Sequence, residues 1–138
     1  MKHASNSLLA YWGLRFAFGL SFLVHGGVRL PKLQAFAKGM SAQFQETFLA
    51  GLPSLAMAYV IPIAEVCIAL SILAGGKFIR WGAFAGCVLM GVLMTGTSLL
   101  EKWDLLPSQL IHLLVFYLIL HNPHTPGAGR LEATSKAS

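Results

Sequence analysis

Charge is what this sequence has least of. Asp, Glu, Lys and Arg make up 11% of its 138 residues, and five of them in all are acidic. A soluble domain carries about 25% charge, so too little is present to clothe a water-facing surface, and the composition implies lipid as solvent. A mean hydropathy of +0.68 agrees. Cysteine is scarcer still. Cys67 and Cys87 lie in separate apolar runs with no C-x-x-C between them, so no close redox dithiol is expected. No Cys/His cluster has zinc-ligand spacing, so no metal site is predicted, and both cysteines read as buried apolar fillers. A small-x-small cleavage site ahead of His25 and a lipidation motif are also missing, so the first apolar run is expected to remain as a membrane helix. The net charge of +5 could point to nucleic acid. Its Lys and Arg are scattered at the ends of apolar runs and form no patch, which favours a membrane and argues against nucleic acid.

Long apolar runs are what the chain does have. A helical span needs about 20 residues, and four stretches qualify: 8–30, 54–74, 78–100 and 105–121. The expected fold is all-α, a single integral-membrane domain over 1–138 built as a four-helix bundle. Tyr11 and Trp12 read as interfacial anchors of the first span, and Pro31 marks its end. The second span contains Pro62 and Glu65, and Gly75-Gly76 caps it. Arg80 and Trp81 open the third. There Gly82 and Gly86 form a G-x-x-x-G suited to close helix packing, continued by Gly91, Thr95 and Ser98. Trp103 anchors the fourth span, Asp104 or Ser108 is its expected cap, Pro107 suits its first turn, and Asn122-Pro123 stops it. Between the first two spans, Phe36, Met40, Phe44 and Phe48 recur every four residues. That spacing predicts one or two short amphipathic helices lying at the interface or over the bundle mouth, broken at Gly39, Gly51 and Pro53; a solvated loop is the alternative. Residues 122–138 lack apolar periodicity and read as an irregular tail. Four spans put both termini on one side, and a slight Lys/Arg bias puts that side in the cytoplasm.

Three ionisable residues sit inside the first span: Arg15, His25 and Arg29. Each costs about 2.5–3.5 kcal/mol at the centre of a membrane helix, so each needs a partner. At about 100° per residue, Arg15, Phe18, Gly19, Phe22, Gly26 and Arg29 share one side of the helix with His25 at its edge. Arg15 and His25 are roughly 15 Å apart along the axis, which predicts two polar layers. Glu65 is the one carboxylate well inside a span, and it requires a cationic or imidazole neighbour. Counting depth puts it between the levels of Arg15 and His25, so either could serve. His112 lies towards the level of His25, which predicts a polar track of His25, Glu65 and His112. Such a constellation can hold helices in register, bind a polar headgroup such as a quinone ring or lipid phosphate, or relay protons. Arg15, His25, Arg29, Glu65 and His112 are the candidates for these roles, and Gly82 and Gly86 for helix packing.

Taken in order, these pieces resemble the DoxX family of small bacterial membrane proteins. They are the Arg of G-L-R-F (Arg15), F-L-V-H-G (His25, Gly26), P-x-x-E (Pro62, Glu65), the L-A-G-G turn followed by Arg80-Trp81, and the final N-P-H-T-P-G-A-G-R. The resemblance covers about residues 10–130. It implies a four-helix bundle in the bacterial inner membrane and a loose tie to redox chemistry. Relatives include the membrane part of thiosulfate:quinone oxidoreductase, and the wider group includes redox-linked maturation proteins. The family usually has Lys where this chain has Arg29. An Arg does not release its proton, so an anion clamp fits this position better than a proton acceptor. The resulting expectation is a quinone- or lipid-associated component of a redox system. No haem or flavin motif is present, so no intrinsic cofactor is predicted. A bound quinone is, together with a redox partner that carries the electrons. The alternative is a non-enzymatic accessory or assembly subunit, docking on a larger membrane complex through its G-x-x-x-G face and the 32–52 segment. A transporter would need a continuous polar path, and the third span has no charged residue after Arg80.

Overall fold

The computed structural model describes residues 5–127, and every regular element among them is helical. In order these are α1 (Asn6–Gly27), a 3-10 turn (Leu30–Lys32), α2 (Leu33–Gln43), α3 (Leu52–Ala74), α4 (Gly76–Leu99), a second 3-10 turn (Trp103–Leu105) and α5 (Leu106–His121). Four helical stretches are long and apolar enough to cross a membrane: Asn6–Gln43, Leu52–Ala74, Gly76–Leu99 and Trp103–His121. Of the expected irregular tail, 122–127 contains turns, while 128–138 lies outside the described residues, with Lys2, Arg130 and Lys136.

Local chemistry explains where the helices start and stop. Ser5 caps α1, its Oγ accepting from the Leu8 amide at 3.3 Å, so the helix begins two residues before the expected span. It also ends sooner, at Gly27. Pro31 does not terminate α1; it sits in the first turn of the separate 3-10 turn, where its missing N–H leaves no bond unmade. Gly51 (φ 79°) breaks the chain before α3, and Pro53 occupies the first turn of that helix. Gly75 is at once the last cap of α3 and the first of α4, at φ 75°, a conformation that favours glycine. The expected side-chain cap of α5 is absent: Leu105 holds the cap position without a side-chain bond, and the 3-10 turn feeds straight into the helix. Gly39 is not a break either, since it lies within α2.

Helix α3 is the central element. It packs against α1, α2 and α4, while α5 packs mainly on α4 and touches α1. Phe22, Ile61, Ile68, Ile72, Met90 and Phe116 fill the space between the long helices. The outward faces are as apolar as the core: Phe16, Leu20 and Val24 on α1, Phe84 and Val88 on α4, Ile111 and Leu114 on α5 all stand exposed. A continuous surface of that kind is unsuited to water and suited to hydrocarbon.

Several expected contacts change partners. Tyr11 is buried and is no interfacial anchor: its hydroxyl lies 3.4 Å from Thr125 Oγ1, and its ring lies 5.8 Å from that of His124. Ser7 Oγ also meets His124 Nε2 at 3.3 Å, so the start of α1 and the chain after α5 come together at one end of the molecule. Trp12 does remain exposed. Cys67 is exposed and Cys87 half-buried, so neither is a fully buried filler. Gly82 and Gly86 face inward on two different neighbours. A Cβ on Gly82 would come within 2.7 Å of Ser71 Cβ on α3, and one on Gly86 would strike the Phe116 ring on α5. The G-x-x-x-G therefore seats α4 within its own chain and presents no free docking face. Along 32–52, Phe44 is buried and Phe36 and Met40 half-buried, whereas Phe48 stands 80% exposed because the helix ends at Gln43.

Candidate functional site

The ionisable residues of α1 separate into the two expected layers. In the first, Arg15 is buried and donates from Nε to the Ile72 carbonyl and from Nη2 to the Leu73 carbonyl, both at 2.6 Å. These are carbonyls of the last turn of α3, which no later turn of that helix can satisfy. The guanidinium also sits 4.5 Å from the centre of the Trp12 ring and favours the negative end of the α3 dipole. Arg15 thus serves as a cap on the end of α3, about three turns of helix away from His25.

The second layer is built where α1 crosses α3. Gly26 makes that crossing close: a Cβ there would lie 2.8 Å from Glu65 Cβ and 3.0 Å from the Pro62 carbonyl oxygen. Glu65 is therefore level with Gly26, not between Arg15 and His25 as backbone depth predicts. Its partner is Arg29, whose long side chain reaches back: Nη1 donates to Glu65 Oε2 at 2.7 Å. Arg29 Nη2 lies 2.9 Å from His25 Nε2. A guanidinium can only donate, so His25 Nε2 accepts, and the neutral ring carries its proton on Nδ1. His25 is 3.8 Å from Glu65 Oε1, beyond hydrogen-bond range. Arg29 is the bridge between the two.

His112 comes from the opposite side, on α5. Its Nδ1 is 2.7 Å from the Ser108 carbonyl, which can only accept, so Nδ1 is protonated and Nε2 is the nitrogen left for another group. The rings of Phe18 and Phe22 lie 5.6 and 6.0 Å from the imidazole and fix its plane.

Between these groups lies a cavity of about 250 Å³, lined by His25, Arg29, Glu65 and His112 with Phe22 and Phe36 as apolar walls. Helix α2 roofs it. The Arg29 guanidinium sits 5.0 Å from the centre of the Phe36 ring, and Ser41 on α2 is hydrogen-bonded to Ser54 on α3 at 2.8 Å. Four of the five sequence candidates are thus brought together, and Arg15 is not. Among the lining residues that sequence reasoning missed are Phe36, Met40, Ser108 and Gln109. Their signals were present in the four-residue spacing of Phe36 and Met40, and in polar residues within one turn of His112.

The charge balance decides what this cavity suits. Arg29 and Glu65 offset one another, so an incoming anion would have to take Arg29 from a carboxylate that is 1% exposed. Stripping a buried charge of its partner costs about 3–5 kcal/mol. The anion clamp expected at Arg29 is therefore an internal one: the anion it holds belongs to the protein. A neutral, polar, flat group meets no such cost. Among the described residues, no three His, Cys, Asp or Glu side chains stand close enough to hold a metal ion. Comparison of the chain with family models, with curated proteins and with solved structures gives no match.

Proposed function

We propose that this chain is a DoxX-like multi-pass protein of the bacterial inner membrane. In this reading its long helices form a four-helix bundle with both termini in the cytoplasm, α2 is an amphipathic cover on the opposite mouth, and the cavity beneath it binds the ring of a quinone. The single observation that carries the reading is the charge-neutral polar cavity between Arg29–Glu65 and His112. A quinone ring is uncharged and flat, with an oxygen at each end. The phenyl groups of Phe22 and Phe36 suit its faces. His112 suits one oxygen: Nε2 accepts from a quinol hydroxyl, or donates to a quinone carbonyl when the imidazole is protonated. Reduction of quinone to quinol takes two electrons and two protons. The electrons come from a partner protein that carries the redox cofactor, and the two protons come from water and reach the ring through His112 Nε2, while Glu65 stays an ionised partner of Arg29. A lipid phosphate is disfavoured by the same charge balance.

The test is quinone content after purification from native membranes in mild detergent. The expected result is close to one quinone per chain, with most of it lost in a Glu65→Gln, His112→Ala double variant. Wild-type protein carrying no quinone beyond the level of bulk lipid would end this reading. Mass spectrometry of the same preparation identifies the redox partner.

A second reading, an accessory or assembly subunit without chemistry of its own, draws support from a different feature. Gly91, Thr95 and Ser98 line a shallow open groove on α4, with nothing within 4 Å of a Cβ at Gly91. Small residues at helical spacing suit close approach of a further helix. A partner lost on Gly91→Leu, with quinone absent from wild type, would favour it.

A further inference from the structure

The polar cavity does not end at its apolar walls. A second cavity of about 160 Å³ adjoins it under the C-terminal half of α2, and Met40, Ile61, Leu93, Leu105 and Gln109 line both. Beyond that shared wall the lining turns apolar, with Phe44, Val92, Gly96 and Leu100. Its polar side chains are already engaged. Thr97 Oγ1 is 2.6 Å from the Leu93 carbonyl and Gln109 Nε2 donates to Thr97 Oγ1 at 2.7 Å, while Lys102 at the lip is hydrogen-bonded to Gln43. Such a space offers a ligand mainly shape and dispersion contacts. Gly96 keeps it open, since a Cβ there would already touch the Phe44 ring at 3.4 Å.

A polar, neutral cavity joined to an apolar one matches a ligand with a polar head and an aliphatic tail. We propose that the second cavity holds the first aliphatic segment of a tailed quinone whose ring lies in the polar cavity, an inference that rests on the ring-binding reading above. An apolar cavity of about 150 Å³ accommodates a six-carbon hydrocarbon, so the segment is about five or six carbons long. Val92, exposed on α4, and Lys102 mark the lip, where the remainder of the tail passes into lipid. The tail is in hydrocarbon whether bound or not, so the gain comes from packing and not from leaving water.

The test uses the purified full-length protein in micelles and two probes, a dimethoxy-methyl-benzoquinone ring without a tail and the same ring with a decyl tail. Affinities are expressed per mole fraction in the micelle, which removes the effect of partitioning. The decyl probe is expected to bind about tenfold tighter, the scale of several well-packed methylene contacts. Gly96→Leu, which fills the cavity, and Val92→Phe, which closes its lip from the exposed side, should each abolish that tenfold while leaving the tail-free probe within about twofold of wild type. Equal affinity of both probes for wild type overturns the tail site and leaves ring binding standing. So does an equal loss of both probes in the two variants. If neither probe binds wild type, the ring reading fails and the tail site falls with it.

Discussion

Glu65 and Arg15 are both ionisable, both buried at 5% exposure or less, and held in different ways. Glu65 depends on one side chain, Arg29. Arg29→Ala leaves its carboxylate without a counter-charge and should destabilise the protein by about 3 kcal/mol, read as a lowered unfolding midpoint in detergent. Arg29→Met combined with Glu65→Leu removes both charges and should recover most of that loss. Bound quinone should nevertheless fall in the double variant, because the polar side of the proposed ring cavity has become apolar while the fold is kept. Arg15 depends on two backbone carbonyls, Ile72 and Leu73. Arg15→Met should cost about 2–4 kcal/mol through two lost charge-assisted hydrogen bonds, and Arg15→Lys should recover only part, since an ammonium lacks the planar fork. Bound quinone per folded chain should be unchanged in both, because the cap lies in the other layer. The need of Glu65 for a cation was legible in the sequence, since no other carboxylate lies deep in a span. Which cation answers was not. Helical depth is counted along the backbone, whereas Arg29 reaches back from beyond the end of α1, and Gly26 shifts the crossing point.

At the level of the helices, apolar run length located all four membrane-sized stretches, because hydrophobicity is a property of the residues themselves. The ends were less legible. Capping by Ser5 and the 3-10 turn around Pro31 depend on which few local bonds form, and residues within a run do not announce them. The inward direction of Gly82 and Gly86 was likewise invisible, since a small-residue motif states that something packs closely and leaves open whether it belongs to the same chain. Their burial separates them from Gly91. Gly86→Leu drives a side chain into the Phe116 ring and should destabilise the fold by about 3 kcal/mol or prevent assembly. Gly91→Leu, which faces open space, should leave the unfolding midpoint within about 0.5 kcal/mol of wild type. Thermal denaturation of the two variants side by side checks both. In the same way, the spacing of Phe36, Met40 and Phe44 marked a helix face, but only the packed structure made that face the roof of two cavities.

For the whole molecule, the two ends of the packed helices differ in what they carry, and that difference gives a test of the proposed membrane orientation. The start of α1, the α3–α4 turn and residues 122–127 share one end, and α2 lies at the other. Ala42, exposed near the end of α2, is a site where a thiol would be reachable. With cytoplasmic termini, an Ala42→Cys substitution in a background of Cys67→Ser and Cys87→Ser should react with an impermeant maleimide added outside intact cells, and Lys77→Cys should not. The opposite pattern reverses the orientation. The distances along the chain also impose an order on biosynthesis. Arg15 finds its acceptors 57 and 58 residues later, and Arg29 finds Glu65 36 residues later. A ribosome releases α1 long before any of these partners exist. Lipid is a poor holding place for the unanswered guanidinium groups of Arg15 on α1 and Arg29 just beyond its end, so in the proposed membrane setting α1 is expected to wait at the insertion machinery or the headgroup region until α3 has emerged as far as Leu73. If the chain spans a membrane as proposed, the two arginines make entry of its first helical stretch conditional on synthesis of α3.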